Sequence, residues 1–398
     1  MIPEHPSREM LRFCRSIKAE ELAGLPFRKT IFEGIPNAWL AEQAALQKLA
    51  SSKLPEWYAN EMLLYPDRQA LEQCTSGLLA AWKKTILPEG ISLVADASAG
   101  LGVDAFGLGA DSKLILFEPD TKRAQALRNN AAYLHAKPVE VREAPVSASE
   151  LQEFARAGSA FLLYADPDRR HESGSRKFDW KQCEPDVRTF HSILKETGSR
   201  MLIKFSPLDD PEEIAAAMPG ATAVYILSLH NEVKEVLMLW DFSVRGETIF
   251  EAVDLRRSGE VQRIRIPVHL EGRPDVSEVR AGHFLLDPLA SLRKGRFAAC
   301  LAEEQGWLQL SARARLYMTD KMPDDFPGRV FQITGMYASP KAFRKAFTGN
   351  NCHVVTRDFP VPADELRKSL KLKEDGEDFL FCFSDERGNR QVLHTRRC

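Results

Sequence analysis

Residues 93–104, LVADASAGLGVD, place carboxylates and glycines directly after an apolar run. The polar and small residues that could contact a ligand are Asp96, Ser98, Gly100, Gly102 and Asp104. Glycine allows a backbone turn to approach a ligand without a clash from a Cβ atom. A helix that begins at Val103 would also direct its free amide groups toward a polar ligand. The stretch therefore predicts a small-molecule pocket between a strand and a helix.

Two cofactors compete for this pocket. A nicotinamide dinucleotide favours the pattern G-x-G-x-x-G, and the third position here is Ala105. Its pyrophosphate would lie unfavourably beside two carboxylates, Asp96 and Asp104. S-adenosylmethionine (SAM) carries an ammonium and a sulfonium and no phosphate, so acids stabilise it. Glu118 ends the next apolar run, where an acid typically binds ribose hydroxyls. We favour SAM over the dinucleotide and over a tight turn that binds nothing.

A further apolar run, AFLLYAD, ends at Asp166 and is followed by Pro167. In an open α/β sheet, ligands bind beyond the carboxyl ends of the strands, so this acid should face the same pocket. The carboxylate and the stiff turn that Pro167 imposes could hold an exocyclic amine and aim its lone pair at a methyl group. We predict Asp166 and Pro167 as catalytic residues. The plain alternative is that Asp166 only caps the turn.

Basic and hydroxyl side chains near the same strand ends are candidates for binding the acceptor. They are Arg169, Arg170, Lys204 and Ser206, with Ser76 as a weaker candidate for the cofactor. Two neighbouring guanidinium groups suit phosphate or carboxylate, but both could equally pair with Asp168 or Glu172. A lysine inside an apolar strand, such as Lys204, could equally be ion-paired or snorkelling.

Apolar periodicity divides the chain into regions that would position these residues. Residues 1–85 show helical spacing, whereas residues 91–243 alternate short β-rich runs with helical stretches. Such alternation predicts an α/β fold, a Rossmann-like parallel sheet with helices on both faces. The runs TAVYILSL and EVKEVLMLW are separated only by His230 and Asn231, which predicts a terminal antiparallel hairpin. Two small α+β modules are predicted to follow, over residues 246–325 and 326–398.

The composition excludes several classes of protein. The 398 residues carry a net charge of −2, so nucleic-acid contacts must come from local patches. The seven cysteines are an odd number without a C-x-x-C pair, which disfavours a disulfide framework and a structural zinc site. Reduced thiols, the lack of an apolar signal-peptide region and the lack of a long apolar span predict a cytoplasmic protein without metal or membrane contacts.

One local patch stands out between residues 341 and 373. Its bases are Lys341, Arg344, Lys345, Arg357, Arg367, Lys368, Lys371 and Lys373, and its acids are Asp358, Asp364 and Glu365. Eight bases against three acids give +5, and Phe343, Phe347 and Phe359 lie among them. Basic side chains interleaved with aromatics are typical of RNA binding, and we include Arg357 among the substrate-binding candidates. The alternative is a solvated helix face above buried phenylalanines.

These segments together resemble the class I SAM-dependent methyltransferases that carry a C-terminal THUMP-like domain. The matching segments are LEQCTSGLLAAWKK, VADASAGLGVDAFGL, YADPDRR, IKFSPLDD, NEVKEVLM, DFPGRVFQI and VVTRDFPVPADELRKSLKLKEDGEDFLF. The resemblance covers most of the chain from about Leu71. It implies a helical region (1–85), a methyltransferase core (86–245), a ferredoxin-like module (246–325) and a THUMP-like module (326–398) that presents tRNA or rRNA to the core.

The sequence departs from related enzymes at one point that concerns the acceptor. RNA and DNA amine methyltransferases typically have Asp/Asn-Pro-Pro and then an aromatic residue that stacks on the flipped base. Here Asp168 and Arg169 take the last two positions, and arginine can also stack on a base. We expect a SAM-dependent methyltransferase that acts on a base nitrogen of structured RNA. The alternatives are a protein or small-molecule acceptor, an RNA-binding protein with a relic pocket, and a nicotinamide oxidoreductase.

Overall fold

A computed structural model describes most of the chain. The described residues are 6–169, 180–256, 258–267 and 271–398. The chain divides into two compact units. The first runs through Val224 and resumes over Glu235–Thr248, and the second comprises Tyr225–Lys234 and Ile249–Cys398. None of the described helices is long and apolar enough to cross a membrane.

Ten helices are described in the first unit. They are α1 (Arg8–Ser16), α2 (Asn37–Lys53), α3 (Pro55–Tyr58), α4 (Arg68–Gln73), α5 (Gly77–Lys84), α6 (Val103–Leu108), α7 (Thr121–Leu134), α8 (Ala148–Ala155), α9 (Val187–Thr197) and α10 (Pro211–Ala217). Five of these precede the first strand, as the helical spacing of residues 1–85 predicts. Helices α5 and α6 pack closely, because Gly107 has no side chain where a Cβ would lie 2.9 Å from the Ala80 carbonyl oxygen. This contact places the middle of α5 against the last residues of α6.

The central sheet of the first unit confirms the predicted fold class. Its strands are β1 (Leu93–Asp96), β2 (Lys113–Phe117), β3 (Val139–Arg142), β4 (Phe161–Ala165), β7 (Arg200–Phe205) and β9 (Glu232–Asp241), and a separate short pair is formed by β5 (Asp168–Arg169) and β6 (Cys183–Glu184). The order is β9-β7-β4-β1-β2-β3. All neighbours are parallel except β9, which runs antiparallel to β7. The carboxyl ends of β1, β2, β4 and β7 therefore lie along one edge.

The predicted terminal hairpin is present. Strand β8 (Ala223–Leu229) is the neighbour of β9 in the sheet. His230 and Asn231 connect the two strands, with φ angles of 54° and 61°. Positive φ at both central residues is the geometry of the two-residue turn whose twist matches a hairpin. The parallel strands are thus followed by the expected hairpin, and the sheet continues beyond β8 with two further strands, Ile249–Leu255 and Val261–Arg265.

The second unit is built on a seven-stranded sheet of order β13-β14-β12-β15-β18-β17-β16. The strands and helices of the unit are β10 (Ile249–Leu255), β11 (Val261–Arg265), β12 (Phe284–Pro288), α11 (Phe297–Gln305), β13 (Leu308–Ser311), β14 (Leu316–Thr319), β15 (Gly328–Met336), α12 (Pro340–Ala346), β16 (His353–Arg357), α13 (Ala363–Ser369), β17 (Asp378–Ser384) and β18 (Arg390–Arg397). Strands β10 and β11 pair with each other and are not part of the seven-stranded sheet. Strand β12 pairs with β15, so strands on both sides of position 325 share one sheet. The boundary at that position stays a prediction.

The phenylalanines of the basic stretch belong to the core of the second unit. Phe343 is fully buried, and its ring stacks on that of Phe347 at 4.9 Å between centroids. Phe359 packs against the same cluster, which includes Leu366 and Leu380. Packing therefore accounts for Phe343 fully and for Phe347 and Phe359 in part, since the last two are only partly buried.

Replacing Gly102 with alanine should destabilise the first unit by about 1–2 kcal/mol, because its φ of +85° disfavours any side chain. The new Cβ would also lie 2.7 Å from Leu127 Cδ2 and 2.8 Å from Phe106 Cε2, both of buried side chains. The measurement is urea unfolding followed by tryptophan fluorescence, since five of the six tryptophans lie in this unit.

The matched control is Gly90→Ala, where φ is +82° and no heavy atom lies within 4 Å of the added Cβ. This substitution changes the backbone preference without a clash. If Gly102→Ala lowers the free energy of unfolding no more than Gly90→Ala does, the packing around Gly102 is not tight.

Candidate active site

The glycine turn after β1 is fixed to its neighbours by backbone hydrogen bonds. The Ala99 amide donates to the Phe117 carbonyl at 3.0 Å, and the Gly100 amide donates to Glu118 Oε2 at 2.9 Å. The other carboxylate oxygen of Glu118 accepts from the Asp120 amide at 2.9 Å. Glu118 therefore holds both the turn after β1 and the turn after β2. Burial raises the pKa of Glu118, although these amide bonds oppose the shift.

Asp96 is a buried carboxyl group at the end of β1, with only 1% of its surface exposed. Its Oδ1 accepts from the Ser98 amide at 2.9 Å. Burial, with smaller contributions from the charges of Asp104 and Asp166, raises the pKa of Asp96 to about 8. Among the described residues, no lysine or arginine forms an ion pair with it. Asp96 is thus a carboxyl group that lacks a positive partner.

Ser98 connects Asp96 to the end of β4. Its hydroxyl lies 3.4 Å from Asp96 Oδ1 and accepts from the Asp166 amide at 2.7 Å. The backbone before Pro167 is therefore tied to the glycine turn. This bond fixes Asp166 relative to the turn, so the two predicted parts of the pocket lie together.

Beneath the turn lies a buried lysine, Lys83, which the sequence analysis did not select. Its side chain is fully buried, and its Nζ lies 2.7 Å from Asp104 Oδ1 and 2.6 Å from Glu235 Oε2. The contact with Glu235 is an ion pair without hydrogen-bond geometry. Burial raises the pKa of Glu235, and the charge of Lys83 only partly opposes this. One ammonium group therefore joins α5, α6 and β9.

Asp104, which we expected to contact the cofactor, lies within this buried network. In addition to Lys83, its other oxygen accepts from the Thr75 hydroxyl and the Tyr164 hydroxyl, both at 2.7 Å. Burial would raise the pKa of Asp104, but the charges of Lys83 and Lys204 outweigh it and lower the pKa. Both carboxylate oxygens of Asp104 therefore have protein partners, and its role in binding the cofactor stays a prediction.

Lys204 forms an ion pair with Asp166 Oδ2. Its Nζ also lies 3.4 Å from the Thr75 hydroxyl, and Lys83 Nζ lies 3.4 Å from the same oxygen. Thr75 therefore joins the buried lysine to the lysine at the pocket. Burial alone would lower the pKa of Lys204, but the charges of Asp166, Glu235 and Asp104 raise it above its usual value. Lys204 stays protonated beside Asp166.

The remaining candidates are distributed more widely. Ser76 caps α5 by accepting from the Leu79 amide at 3.5 Å. Ser206 follows β7, where its hydroxyl accepts from the Leu208 amide at 3.2 Å. The backbone of Arg169 pairs with Cys183, and Arg170 lies outside the described residues. Arg357 lies in the second unit, 3.6 Å from Asp287. The structure thus brings together Asp96, Ser98, Gly100, Glu118, Asp166 and Lys204.

Four residues of the network, Thr75, Lys83, Tyr164 and Glu235, were missed from the sequence. One signal was present: Lys83 lies in the last turn of a mainly apolar helix, and Glu235 lies inside the apolar run EVKEVLMLW. A charged residue at a buried position almost always has a partner. Matching the two opposite charges would have predicted their ion pair.

Comparisons with known proteins agree with this architecture. Residues 328–397 match the THUMP domain-like family model. A solved structure of a "putative methyltransferase" from Porphyromonas gingivalis W83 superposes with a TM-score of 0.83 at 22% identity, covering 98% of each chain. An identity this low shows the fold alone. The chain therefore has the fold of that structure and a THUMP-like domain at its C-terminal end, which confirms the resemblance seen in the sequence.

Other similarities are weaker. An rRNA methylase from Streptococcus thermophilus matches at 12% identity over 40% of this chain and 92% of its own, with a TM-score of 0.29. NSun6 from Pyrococcus horikoshii matches at 14% identity over 42% and 52%, with a TM-score of 0.30. Scores this low carry no argument about function. No curated protein matches the chain.

The high pKa of Asp96 makes stability depend on pH. In the unfolded chain an aspartate titrates near about 3.9, whereas here the pKa is about 8. The folded state then holds a proton on Asp96 that the unfolded state has released. The stability that this proton contributes is therefore complete below about pH 4 and is lost as pH rises toward 8. The free energy of unfolding of the wild type, relative to that of Asp96→Asn, should fall by on the order of 1 kcal/mol for each pH unit between pH 5 and 7.

The measurement is urea unfolding of both proteins at several pH values, with the exposed Asp111→Asn as the control. Asp111 has a pKa lowered by its hydrogen bond and charge interaction with Lys84, so it adds no slope in this range. Parallel pH profiles for the wild type and Asp96→Asn would mean that Asp96 is already ionised at pH 5.

Proposed function

We propose that the chain is a SAM-dependent methyltransferase that modifies a base nitrogen of structured RNA, either a tRNA or an rRNA. The observation that carries this proposal is the arrangement at the strand ends: a buried carboxyl group without a cation, Asp96, tied through Ser98 to a second carboxylate, Asp166. The first favours a cationic cofactor and the second favours an N–H acceptor. A pyrophosphate beside these groups would be repelled, which disfavours a nicotinamide dinucleotide.

The residues at the glycine turn fit SAM in their chemistry. Asp96 would accept hydrogen bonds from the ammonium of the methionine part, which would replace the missing positive partner. Glu118 ends β2, where its carboxylate could accept from the ribose hydroxyls while it holds the turn at Gly100. Gly100, with a φ of 53°, lets the backbone pass close to the ligand. SAM supplies an electrophilic methyl group when it is bound.

Asp166 is the residue that we assign to orienting the acceptor nitrogen. Lys204 holds its Oδ2, and Oδ1 has no partner among the residues that the structure describes. Oδ1 can therefore accept an N–H bond from an exocyclic amine and direct the nitrogen lone pair toward the methyl group. Transfer of the methyl group would break its bond to the sulfonium sulfur and leave S-adenosylhomocysteine; the methylated nitrogen would then carry one proton too many, and Oδ1 would be placed to take it.

The RNA substrate rests on the THUMP-like match and on the basic side chains around it. In the resemblance stated above, a THUMP-like module presents RNA to the catalytic core. Residues 341–373 carry eight bases and three acids, and five of these bases lie on or next to α12 and α13. Phe343 is buried, and Phe347 and Phe359 are partly buried against the same cluster, so the contact with RNA would be mainly electrostatic, and affinity should fall steeply with salt.

A different acceptor is the second candidate, favoured by one observation. Asp168 and Arg169 replace the proline and aromatic residue expected for base stacking, and they form the short strand β5 instead. A protein or small-molecule acceptor would need no stacking residue. Methyl transfer that is independent of RNA, or RNA binding that does not respond to salt, would favour this second candidate.

S-adenosylhomocysteine, the demethylated product, should bind the wild type with micromolar affinity and should bind Asp96→Ala far more weakly. At pH 7 the ligand ammonium should displace the proton of Asp96, whose pKa is about 8. Isothermal titration calorimetry in buffers of different ionisation enthalpy measures both effects. Proton release in the wild type should be absent from the variant.

The control for this experiment is Asp111→Ala, which removes an exposed carboxylate from the same unit. It should bind as the wild type does. If the wild type shows no heat with S-adenosylhomocysteine, the pocket assignment is wrong and the enzymatic proposal fails with it.

Asp166→Ala should retain binding of S-adenosylhomocysteine but lose methyl transfer by about 100-fold or more, because general-base and orienting contributions are of that size. The assay transfers a tritiated methyl group from SAM to total RNA. Digestion of the product to nucleosides identifies the modified base. Asp111→Ala again serves as the control, and full turnover by Asp166→Ala would remove Asp166 from the mechanism.

A further inference from the structure

The second unit contains a cluster of arginines around one buried carboxylate. Asp287, on β12, has a side chain that is fully buried. Arg329 donates to its Oδ2 from Nε at 3.1 Å and from Nη2 at 2.5 Å. Arg293 Nη1 lies 3.2 Å from Oδ1, and Arg357 Nη2 lies 3.6 Å from the same oxygen. Three guanidinium groups therefore share a single carboxylate.

The charges of this cluster do not balance. Three guanidinium groups and one carboxylate leave an excess of two positive charges, and no other carboxylate in the described chain forms an ion pair with these arginines. Burial, together with the charges of Arg357, Arg329 and Arg315, lowers the pKa of Arg293 to about 10 against the opposing effect of Asp287. Even so, all remain charged at neutral pH, because an arginine cannot release its proton there.

The cluster also has hydrogen-bond donors that Asp287 does not use. At 3.6 Å, Arg357 is too far from the carboxylate for a hydrogen bond. Its Nε is buried and has no partner among the described residues. The side chains of Arg293, Arg329 and Arg357 are 19%, 29% and 28% exposed, so each is accessible to a ligand on one side. Hydrogen-bond donors and positive charge without partners in this partly buried cluster cost free energy, and a bound anion would remove that cost.

We propose that Arg293, Arg329 and Arg357 form a binding site for a phosphodiester group of the RNA backbone. The planar forks of arginine match the oxygens of a phosphate in pairs, and several forks around one point favour an anion with more than one oxygen. Arg329 and Arg357 lie within the THUMP-like match at residues 328–397, whereas Arg293 precedes it. The choice of RNA as the source of the phosphate rests on the proposed function.

Arg357→Gln is the most informative substitution. Arg329 and Arg293 would still hold the buried Asp287, so the fold should persist, whereas Arg329→Gln would remove the bidentate partner. Affinity for labelled unfractionated tRNA, or for total rRNA, should fall by about tenfold. The slope of log affinity against log salt should become shallower by roughly 0.7–1, which corresponds to one lost phosphate contact. Fluorescence anisotropy at several salt concentrations measures both quantities.

Arg273→Gln is the matched control, because Arg273 is 83% exposed and pairs with Glu271 away from the cluster. It should leave both affinity and slope unchanged. If the wild type binds RNA and Arg357→Gln binds it equally well with the same salt slope, the phosphate site is refuted while the proposed function stands.

A second arm separates the site from the RNA assignment. Tripolyphosphate should raise the melting temperature of the wild type and of Arg273→Gln by the same amount. The increase for Arg357→Gln should be smaller. If the wild type does not bind RNA, the proposed acceptor is wrong, and this arm alone decides on the anion site. Equal stabilisation of wild type and Arg357→Gln by tripolyphosphate would then overturn it.

Discussion

The buried ammonium of Lys83 is the interaction on which the active-site architecture depends. It lies between the carboxylates of Asp104 and Glu235 without access to water. A buried charge is tolerated only when its partners compensate for the lost hydration, and removing one partner of such a pair typically costs about 3–5 kcal/mol. Lys83 comes from α5, Asp104 from α6 and Glu235 from β9. The ion pair therefore fixes the N-terminal helices to the helix that follows the glycine turn and to the final strand of the sheet.

This buried network reaches the reacting groups through a single hydroxyl. Thr75 contacts Asp104, Lys83 and Lys204, and Lys204 in turn holds Asp166. Asp166 is also held through its amide by Ser98, which bonds to Asp96. The carboxylate proposed to orient the acceptor is thus fixed from two directions. Precise placement of this kind is how positioning contributes to catalysis, since small displacements of a reacting group reduce the rate strongly.

Apolar periodicity was sufficient to locate the acids at strand ends, because a buried parallel strand ends where the sequence becomes polar. Asp96, Glu118 and Asp166 were found in this way, and the hairpin followed from two residues between two β-rich runs. Periodicity cannot identify partners that are distant in sequence, so Lys83 and Glu235 were missed. It also cannot distinguish a residue that faces a ligand from a residue that is buried among protein partners. Asp104 is the second residue of α6 and pairs with the buried lysine, and Phe343 lies in the core of the second unit.

The two units carry opposite and unbalanced charge clusters, and they differ in how that imbalance can be relieved. Four carboxyl groups, Asp96, Asp104, Asp166 and Glu235, surround two lysines in the first unit. Carboxyl groups can take up protons, as the pKa of about 8 for Asp96 indicates, and a cationic ligand would release that proton. The arginines around Asp287 cannot lose protons at neutral pH, so only an anion can compensate them. These opposite imbalances are the physical basis on which we propose a cationic cofactor for one unit and a phosphate for the other.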